Sequence, residues 1–288
     1  MTARIIDGKA IAQALRNDIK AKVDQLTAAG KRPPGLAVVI VGQDPASQIY
    51  VRNKHQATEA VGMKSVMKVL PATATQDEVL DVVKLLNADP TIDGILVQLP
   101  VPKHIDSKAV IDAIAVGKDV DGFNPENLGL LAQRTPRLRP CTPYGCMKML
   151  EHVGIDPAGM DAVVLGQSNI VGRPAALELL MKGATVTICH SRTKDIVGHI
   201  RRADLIVAGI GKPEFVKGEW LKPGAVVLDV GINRLPSGKV VGDVEFESAK
   251  ERASWITPVP GGVGPMTIAM LIQNTLEAYQ IHEGHHEG

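Results

Sequence analysis

The segment Asp161-Ala-Val-Val-Leu-Gly-Gln-Ser-Asn-Ile-Val-Gly-Arg-Pro174 decides the fold of the second half of the chain. It opens with a short apolar run that ends at Gly166, which is typical of a strand buried on both faces, and a helix is predicted to start near Pro174. Gly166 permits a tight turn, and Gly172 permits close packing of the helix on the strand. A strand, a glycine turn and a helix in this order predict one unit of a parallel α/β sheet.

The helix start after this turn is a candidate site for the pyrophosphate of a dinucleotide. Free amide N–H groups and the helix dipole favour a phosphate there, and the strand and helix around the turn support the motif. Ser168 stands where the usual G-x-G-x-x-G pattern has its second glycine. That departure predicts a hydroxyl contact to the cofactor or a slightly wider loop. A tight turn without a ligand is the alternative.

The end of the next strand distinguishes NADP from NAD. NAD-binding folds place an acidic residue there, which accepts a hydrogen bond from the ribose. Here the strand that ends at Cys189 runs into His190-Ser191-Arg192-Thr193, with no acid. A hydroxyl and a guanidinium suit a ribose phosphate, so NADP is the predicted cofactor. The alternative is that Arg192 is a solvated surface charge.

The composition excludes several classes of protein. The 288 residues suffice for two domains, and aromatic residues at 3% leave a core of Val, Ile, Leu, Ala and Met. Lys plus Arg number 32 against 31 Asp plus Glu, with no basic stripe, so no nucleic-acid partner is expected. No run reaches membrane-spanning length, and residues 1–9 lack a signal-peptide core, so no membrane association is expected. Three cysteines without a C-x-x-C pair predict no bound metal and a reducing cytoplasm.

Helices and strands alternate along the chain, which predicts an α/β fold in two domains with a mainly parallel, Rossmann-like sheet in the second. The predicted helices are Gly8–Ala29, Pro45–Val61, Gln76–Leu86, Ser107–Val116, Tyr144–His152 and Pro265–Ile281. The predicted strands are Leu36–Val41, Lys64–Leu70, Gly94–Leu99, Asp161–Gly166, Ala184–Cys189, Leu205–Gly209 and Ala225–Val230. Residues 119–125 are predicted as a loop and 133–143 as an inter-domain crossing. The expected domains are 1–140 and 141–267, with the helix at 268–288 packing back on the first.

Four polar residues of the first half are candidates for a catalytic pocket. Tyr50 and Lys54 are four residues apart on a predicted helix and therefore share a face. Gln98 ends a buried strand, where ligands collect in open α/β sheets, and Asp121 lies in a tight loop. Taken singly, Lys54 can be a solvated charge, Gln98 a strand cap and Asp121 a turn residue.

A Tyr-x-x-x-Lys pair also occurs in short-chain dehydrogenases, but their glycine-rich turn precedes the pair, whereas here it follows. The glycine- and proline-dense segment Pro258–Thr267 can lay its backbone flat against a planar ligand or a phosphate. A rigid linking loop is the alternative for that segment. The histidines His282, His285 and His286, with Cys141 and Cys146, carry no assigned role beyond a solvated tail and core packing.

Five motifs in order resemble the bifunctional methylenetetrahydrofolate dehydrogenase/methenyltetrahydrofolate cyclohydrolase family. They are Tyr50-x-x-x-Lys54, Gln98-Leu-Pro-Val-Pro102, Asp119-Val-Asp-Gly-Phe123, Gly166-x-Ser-x-x-Val-Gly-x-Pro174 and Pro260-Gly-Gly-Val-Gly-Pro-Met-Thr267. The resemblance spans nearly the whole chain and implies two α/β domains with a folate cleft between them. It also implies NADP as cofactor, a tetrahydrofolate-derived substrate and a homodimer.

The resemblance implies a role for each matching residue. Lys54 would be the principal catalytic group, Gln98 would hold it, Tyr50 would stack on the folate and Asp121 would bond the pterin. The residues that would line the folate site are Pro260, Gly261 and Gly262. The residues that would touch NADP are Gly166, Gln167, Ser168, Ser191, Arg192 and Ile232. Val101 and Gln167 depart from the commonest family residues.

Two other functions stay open on the sequence alone. A shikimate- or amino-acid-type NADP dehydrogenase shares the second domain but does not predict the four polar residues of the first. A non-catalytic NADP-sensing module predicts cofactor binding without turnover of a folate.

Overall fold

The structure is a computed structural model that describes residues 2–42 and 45–284, without the side chains of residues 45–47 and 49. The helices are α1 Gly8–Ala28, α2 Pro45–Ala60, α3 Gln76–Ala88, α4 Ser107–Asp112, α5 Pro125–Ala132, α6 Cys141–His152, α7 Gly172–Met181, α8 Ile196–Arg202, α9 Phe246–Lys250 and α10 Val263–His282. The strands are β1 Arg4–Ile5, β2 Gly35–Val41, β3 Lys64–Leu70, β4 Gly94–Val97, β5 Asp161–Leu165, β6 Thr185–Cys189, β7 Leu205–Ala208, β8 Val226–Asp229, β9 Asn233–Arg234, β10 Val240–Val241 and β11 Trp255–Ile256. His285 and His286 lie outside the described residues.

The chain folds into two compact units, and the predicted α/β fold with a mainly parallel sheet is confirmed. The three-stranded unit comprises Ala14–Cys141 and Ile268–Gly288, and the six-stranded unit comprises Met1–Gln13 and Thr142–Thr267. The first thirteen residues thus cluster with the second half of the chain, whereas the sequence-based boundary placed them with the first. The reason is that β1 pairs with β11, a two-residue pairing too short to leave a hydrophobic pattern.

The three-stranded unit is a parallel sheet in the order β3-β2-β4. Alternate residues of β2 (Ala37, Val39 and Val41) pack with α3 in one buried cluster. Because β2 is central and its successors lie on opposite sides of it, the strand order reverses between β2 and β4. A ligand crevice is therefore expected at the carboxyl ends of these two strands, the usual position in such sheets.

The last turns of α10 complete the three-stranded unit. Tyr279, which is fully buried, packs in one cluster with Ile19 and Val23 of α1. Asp93 accepts two hydrogen bonds from Arg32, at 2.7 and 2.9 Å, and also contacts His282 Nδ1 at 3.1 Å. Burial alone would raise the pKa of Asp93, but these bonds outweigh it and hold the pKa below its usual value. The buried Asp93, which precedes β4, therefore holds His282 at the end of α10.

The six-stranded unit is a parallel sheet in the order β1-β11-β8-β7-β5-β6, with β9 and β10 forming a small antiparallel pair. Strand β5 lies between β6 and β7, so the chain crosses from one side of β5 to the other after β6. The switch point, where a ligand crevice is expected, is therefore between the carboxyl ends of β5 and β7.

Several predicted boundaries differ from the structure. The helix predicted to reach Val116 ends at Asp112. The loop predicted to reach Pro125 ends there because α5 begins at Pro125: Asn124 caps this helix, and proline suits its first turn. The strand predicted to reach Leu99 ends at Val97, and α6 starts inside the predicted crossing. Helices α5, α8 and α9 and the short strands β1, β9, β10 and β11 were not predicted, because elements of two to eight residues show too few periods to recognise.

Candidate active site

A buried lysine lies at the crevice of the three-stranded unit. Lys54, on the third turn of the helix that follows β2, is only 9% exposed. Its Nζ donates a hydrogen bond to Gln98 Oε1 at 3.0 Å, and Gln98 directly follows β4. The Gln98 amide in turn donates to the Leu99 carbonyl at 2.8 Å, which turns its oxygen towards the lysine. The structure therefore brings these two predicted residues into direct contact.

Asp121 lies beside this pair because its loop runs along β4. Asp119 forms a parallel bridge with Ile95, so the chain after it advances towards the carboxyl end of the strand. Burial raises the pKa of Asp121 to about 6, and the charge of Asp119 adds to the rise while the Lys54 cation opposes it. The carboxyl group is thus poised to bind a neutral or cationic partner with either a donor or an acceptor.

The loop around Asp121 is held by side chains that the sequence did not single out for this role. Asp119, fully buried, accepts hydrogen bonds from the Asn124 amide at 2.8 Å and from Asn127 Nδ2 at 3.0 Å. Gly122 has φ +74°, and a Cβ there would lie 2.5 Å from the carbonyl carbon of Arg139. The tight turn therefore requires glycine for both conformation and space.

Asn274 and Cys141 fix the residue before Asp121. Asn274 Nδ2 donates to the carbonyl oxygens of Val120 and Arg139, both at 2.8 Å, and Cys141 Sγ donates to the same Val120 oxygen at 3.2 Å. Burial, and then the nearby charge of Asp121, raise the pKa of the Cys141 thiol well above its usual value. Asn274 is fully buried, and a buried amide needs hydrogen-bond partners.

Tyr50 lies one helical turn before Lys54 on α2 and is 44% exposed. An exposed aromatic ring beside a buried cation offers a flat surface for a planar ligand. The four residues predicted for the pocket are therefore found on adjacent elements of one unit, with Lys54, Gln98 and Asp121 in one electrostatic cluster.

The glycine turn after β5 lies at the switch point of the six-stranded unit. Gly166 has φ +113°, and a Cβ there would lie 2.4 Å from the Gly209 carbonyl oxygen at the end of β7. A Cβ on Gly172 would lie 2.1 Å from the Gly166 carbonyl oxygen. Both glycines are therefore required, and they leave the backbone open for close approach of a ligand.

Ser168 acts on the helix that follows this turn. Its Oγ accepts hydrogen bonds from the amides of Val171 and Gly172 at 3.2 and 3.3 Å. The serine therefore satisfies donors at the start of α7 that would otherwise be free. Neighbouring Gln167 receives a hydrogen bond at its carbonyl from Arg173 Nε at 3.1 Å.

The turn after β6 is closed by its own backbone and side chains. The His190 amide donates to Thr193 Oγ1 at 2.8 Å, which leaves Ser191 and Arg192 exposed at the tip. An acid does occur slightly later, at Asp195, but its carboxylate accepts from the Gly198 amide at 3.0 Å and caps α8. The turn therefore presents a hydroxyl and a guanidinium to solvent.

The remaining predicted residues lie on two loops of the six-stranded unit. Ile232, between β8 and β9, is 53% exposed. Pro260 is exposed, Gly261 has φ +103°, and its carbonyl accepts from the Lys9 amide at 3.0 Å. A Cβ on Gly262 would lie 2.4 Å from the Pro258 carbonyl oxygen, so this loop is tightly packed at its base.

One parallel sheet has a glycine turn at its switch point, and the other has a buried lysine at its switch point. These two features define a two-unit α/β enzyme of the dinucleotide-dependent class. No group of three or more His, Cys, Asp or Glu within residues 2–42 and 45–284 could hold a metal ion. In the same residues, no helix has the length and apolar character needed to cross a membrane.

Comparison with known proteins identifies the family. Residues 6–121 match the catalytic domain of tetrahydrofolate dehydrogenase/cyclohydrolase, and residues 140–283 match its NAD(P)-binding domain. The chain therefore belongs to the tetrahydrofolate dehydrogenase/cyclohydrolase family, as the ordered motifs predicted.

Three solved structures are similar over nearly the whole chain. The bifunctional methylenetetrahydrofolate dehydrogenase/cyclohydrolase of Campylobacter jejuni is 47% identical, with a TM-score of 0.95, over 97% of this chain and 99% of its own. The enzyme of Trypanosoma brucei, solved with NADP and an inhibitor, is 40% identical, with a TM-score of 0.94, over 98% of each chain. The enzyme of Thermoplasma acidophilum is 33% identical, with a TM-score of 0.91, over 98% of this chain and 100% of its own.

Proposed function

We propose that this chain oxidises 5,10-methylenetetrahydrofolate with NADP and hydrolyses the resulting methenyl compound to 10-formyltetrahydrofolate. The observation that carries the proposal is the buried Lys54, held by Gln98 beside the desolvated Asp121. The family membership supports both activities. Neither alternative from the sequence, another small-substrate dehydrogenase or a sensing module, accounts for this cluster.

The dinucleotide is assigned to the switch point of the six-stranded unit. Gly166 and Gly172 support this assignment, because a Cβ at either position would overlap a backbone carbonyl oxygen and distort the turn. Gly166, Gln167 and Ser168 would hold the pyrophosphate side, and Ile232 would contact the other end of the cofactor. When bound, NADP supplies the acceptor for the hydride that leaves the folate methylene carbon.

Arg192 and Ser191 support NADP rather than NAD. Both are exposed at the tip of the turn after β6, where a ribose 2′ substituent is expected. The carboxylate of Asp195, the nearest acid, is engaged at the Gly198 amide. A ribose 2′-phosphate bound there would lie near the Arg192 guanidinium and the Ser191 hydroxyl. The Asp195 carboxylate is already engaged and would not accept a hydrogen bond from the ribose.

Lys54 performs the proton transfers of the hydrolytic step. Water attacks the cationic methenyl carbon, and the proton it loses must reach the nitrogen that departs as the ring opens. Gln98 accepts one N–H of Lys54 and thereby aims the remaining bonding positions of Nζ. Exclusion of solvent from a lysine that is 9% exposed limits proton loss to bulk water.

The substrate is oriented by groups around the lysine. The Tyr50 ring, exposed one turn away, would stack on the aromatic part of the folate. Asp121 would pair with the pterin amide and amino groups, whose donors suit a carboxylate. The family resemblance also assigns folate contacts to Pro260, Gly261 and Gly262. We further propose that residues 1–140 serve folate binding and catalysis, and that residues 141–267 serve NADP binding.

The experiment is a spectrophotometric assay with methylenetetrahydrofolate, run in parallel with NADP and NAD. We expect reduced cofactor together with a transient methenyl absorbance, and faster turnover with NADP. Folded protein that gives neither signal would refute the proposed activity. Equal kcat/KM with the two cofactors would refute the NADP preference alone.

We also propose that the chain forms a homodimer and works in the cytoplasm. Strand β3 lies at an edge of its sheet and exposes Met67 and Val69, at 48% and 61%. An unpaired edge with apolar side chains is a surface that a second copy can cover. The three cysteines, all free and buried, suit a reducing compartment.

A further inference from the structure

Two buried aspartates of the six-stranded unit have no part in the chemistry above. Asp229 ends β8 and is 4% exposed, and Asp243, two residues after β10, is fully buried. A buried carboxylate is costly unless hydrogen bonds replace its water. Their partners therefore show what these residues do for the fold.

Asp243 binds a loop and a side chain at once. Its Oδ2 accepts from the amides of Ile210 and Gly211 at 2.5 and 2.9 Å. Its Oδ1 accepts from the Lys212 amide at 3.0 Å and from Asn233 Nδ2 at 2.8 Å. Three successive amides of this kind bind phosphate groups in other proteins, but here the chain's own carboxylate fills the cradle.

Asp229 supports Asp243 from behind. Its Oδ1 accepts from the amides of Gly231 and Asp243, both at 3.0 Å, and its Oδ2 accepts from the Val244 amide at 2.9 Å. Burial raises the pKa of Asp229 to about 7, with hydrogen bonds opposing the rise and the charge of Asp243 adding to it. Each aspartate therefore fixes the segment that carries the other.

The glycines of the two segments leave space for these carboxyl groups. A Cβ on Gly231 would lie 2.3 Å from Asp243 Cγ, and a Cβ on Gly242 would lie 1.8 Å from Asp229 Oδ2. Neither position can accept a side chain without displacing a carboxylate. Each of the two segments, Asp229-Val-Gly-Ile-Asn233 and Gly242-Asp243, therefore supplies one aspartate and the glycine that makes room for the other aspartate.

The loop at residues 209–212, which Asp243 holds, packs against the glycine turn after β5. Its first residue, Gly209, places its carbonyl oxygen 2.4 Å from the Cβ position of Gly166. A Cβ on Gly209 itself would lie 3.2 Å from Val171 Cγ1, at the start of α7. A shift of residues 209–212 therefore changes the turn that is expected to receive the pyrophosphate.

We propose that Asp243, backed by Asp229, is a positioning residue for the dinucleotide: it fixes the loop at 209–212 against Gly166 and fixes Asn233 next to Ile232. The inference rests on the proposed function, because the cofactor contacts of Gly166 and Ile232 are part of that proposal. Neither aspartate is among the proposed cofactor or folate contacts, so the expected effect passes through the backbone that the aspartates hold.

The test uses Asp243→Asn in the full chain, with Asp204→Asn as the matched control. Asp204 is at the amino end of β7, where its carboxylate binds the Asp161 amide at 3.0 Å and Lys222 at 2.5 Å. The control removes a carboxylate just before β7, whereas Asp243→Asn removes one that binds the loop just after β7. The readouts are the Kd for NADP by calorimetry, the dehydrogenase KM and kcat, and cyclohydrolase turnover measured without NADP.

We expect Asp243→Asn to raise the Kd and the KM for NADP by about tenfold or more, because an amide N–H2 then faces backbone donors. Cyclohydrolase turnover should stay within about twofold of wild type, and Asp204→Asn should change neither quantity beyond about twofold. If Asp243→Asn does not fold, Asn233→Ala replaces it as the test variant. Asn233→Ala keeps the Asp243 carboxylate and three of its four hydrogen-bond donors, so we expect a smaller rise in the Kd for NADP.

An unchanged Kd in a folded variant, or a parallel loss of cyclohydrolase turnover, would overturn the inference. A wild-type chain that binds no NADP would overturn it as well. A wild-type chain that binds NADP but turns over no folate would refute the proposed function instead. In that case the ratio of the two Kd values still decides the role of Asp243.

Discussion

Replacing Asp121 with asparagine is expected to stabilise the protein at neutral pH while impairing folate binding. Burial raises the pKa of this carboxyl from 3.8 to about 6, so its ionisation in the folded state is penalised. A shift of roughly two units corresponds to about 3 kcal/mol at about 1.4 kcal/mol per unit, and partial solvent access reduces this to about 2 kcal/mol. The free energy of unfolding of Asp121→Asn should exceed that of wild type by about this amount at pH 7.5.

The pH dependence provides the sharper test. The folded state binds the proton of Asp121 more tightly than the unfolded state, so wild-type stability falls as the pH rises from about 4 to about 6 and is then constant with respect to this group. The difference between variant and wild type should therefore vanish near pH 4. Urea unfolding at several pH values measures it, with Asp18→Asn, an exposed aspartate on α1, as the control. A difference that is independent of pH, or a less stable variant at pH 7.5, would refute the reasoning.

Three further predictions concern the proposed activity and assembly. Lys54→Met should lower cyclohydrolase kcat by at least about a hundredfold and leave the Kd for NADP within about twofold, whereas Arg52→Met, an exposed position of the same helix, should change neither. Weaker NADP binding in Lys54→Met would contradict its role. Arg192→Ala should raise the KM for NADP by about tenfold and leave that for NAD unchanged in steady-state kinetics; equal effects would count against the 2′-phosphate contact. If the proposed dimer forms through β3, Val69→Lys should be monomeric in light scattering, unlike Leu85→Lys on α3, which is 72% exposed. A dimeric Val69→Lys would show that β3 is not the interface.

The sequence predicted the parts of the fold that have long periodic patterns. The apolar run of β2, the helix periodicity of α1 and the glycine turn after β5 each identified an element to within a few residues. These patterns are local, because a buried strand or an amphipathic helix requires its residue types along its own length. The two-residue strands lacked such a pattern, so pairing of β1 with β11 was visible only in three dimensions.

The sequence predicted the residues proposed to contact the substrate or cofactor. It did not reveal the side chains that hold those residues in place. Lys54 and Gln98 were identified from helix spacing and a strand end, and the structure places them in contact. Asn274 lies 154 residues from the Val120 carbonyl that it holds, and Asp243 lies 33 residues from the Ile210 amide. Hydrogen bonds between distant segments depend on the whole topology, so no spacing rule reveals them.

The helix end held by Arg32, Asp93 and Tyr279 has a consequence for biosynthesis. The three-stranded unit needs residues 268–282, which a ribosome makes only after it has made the whole of the six-stranded unit. Until then the apolar residues Ile19 and Val23 of α1 lack their partner and offer an exposed surface to chaperones or to other nascent chains. The chain therefore cannot complete its three-stranded unit before the six-stranded one has been synthesised.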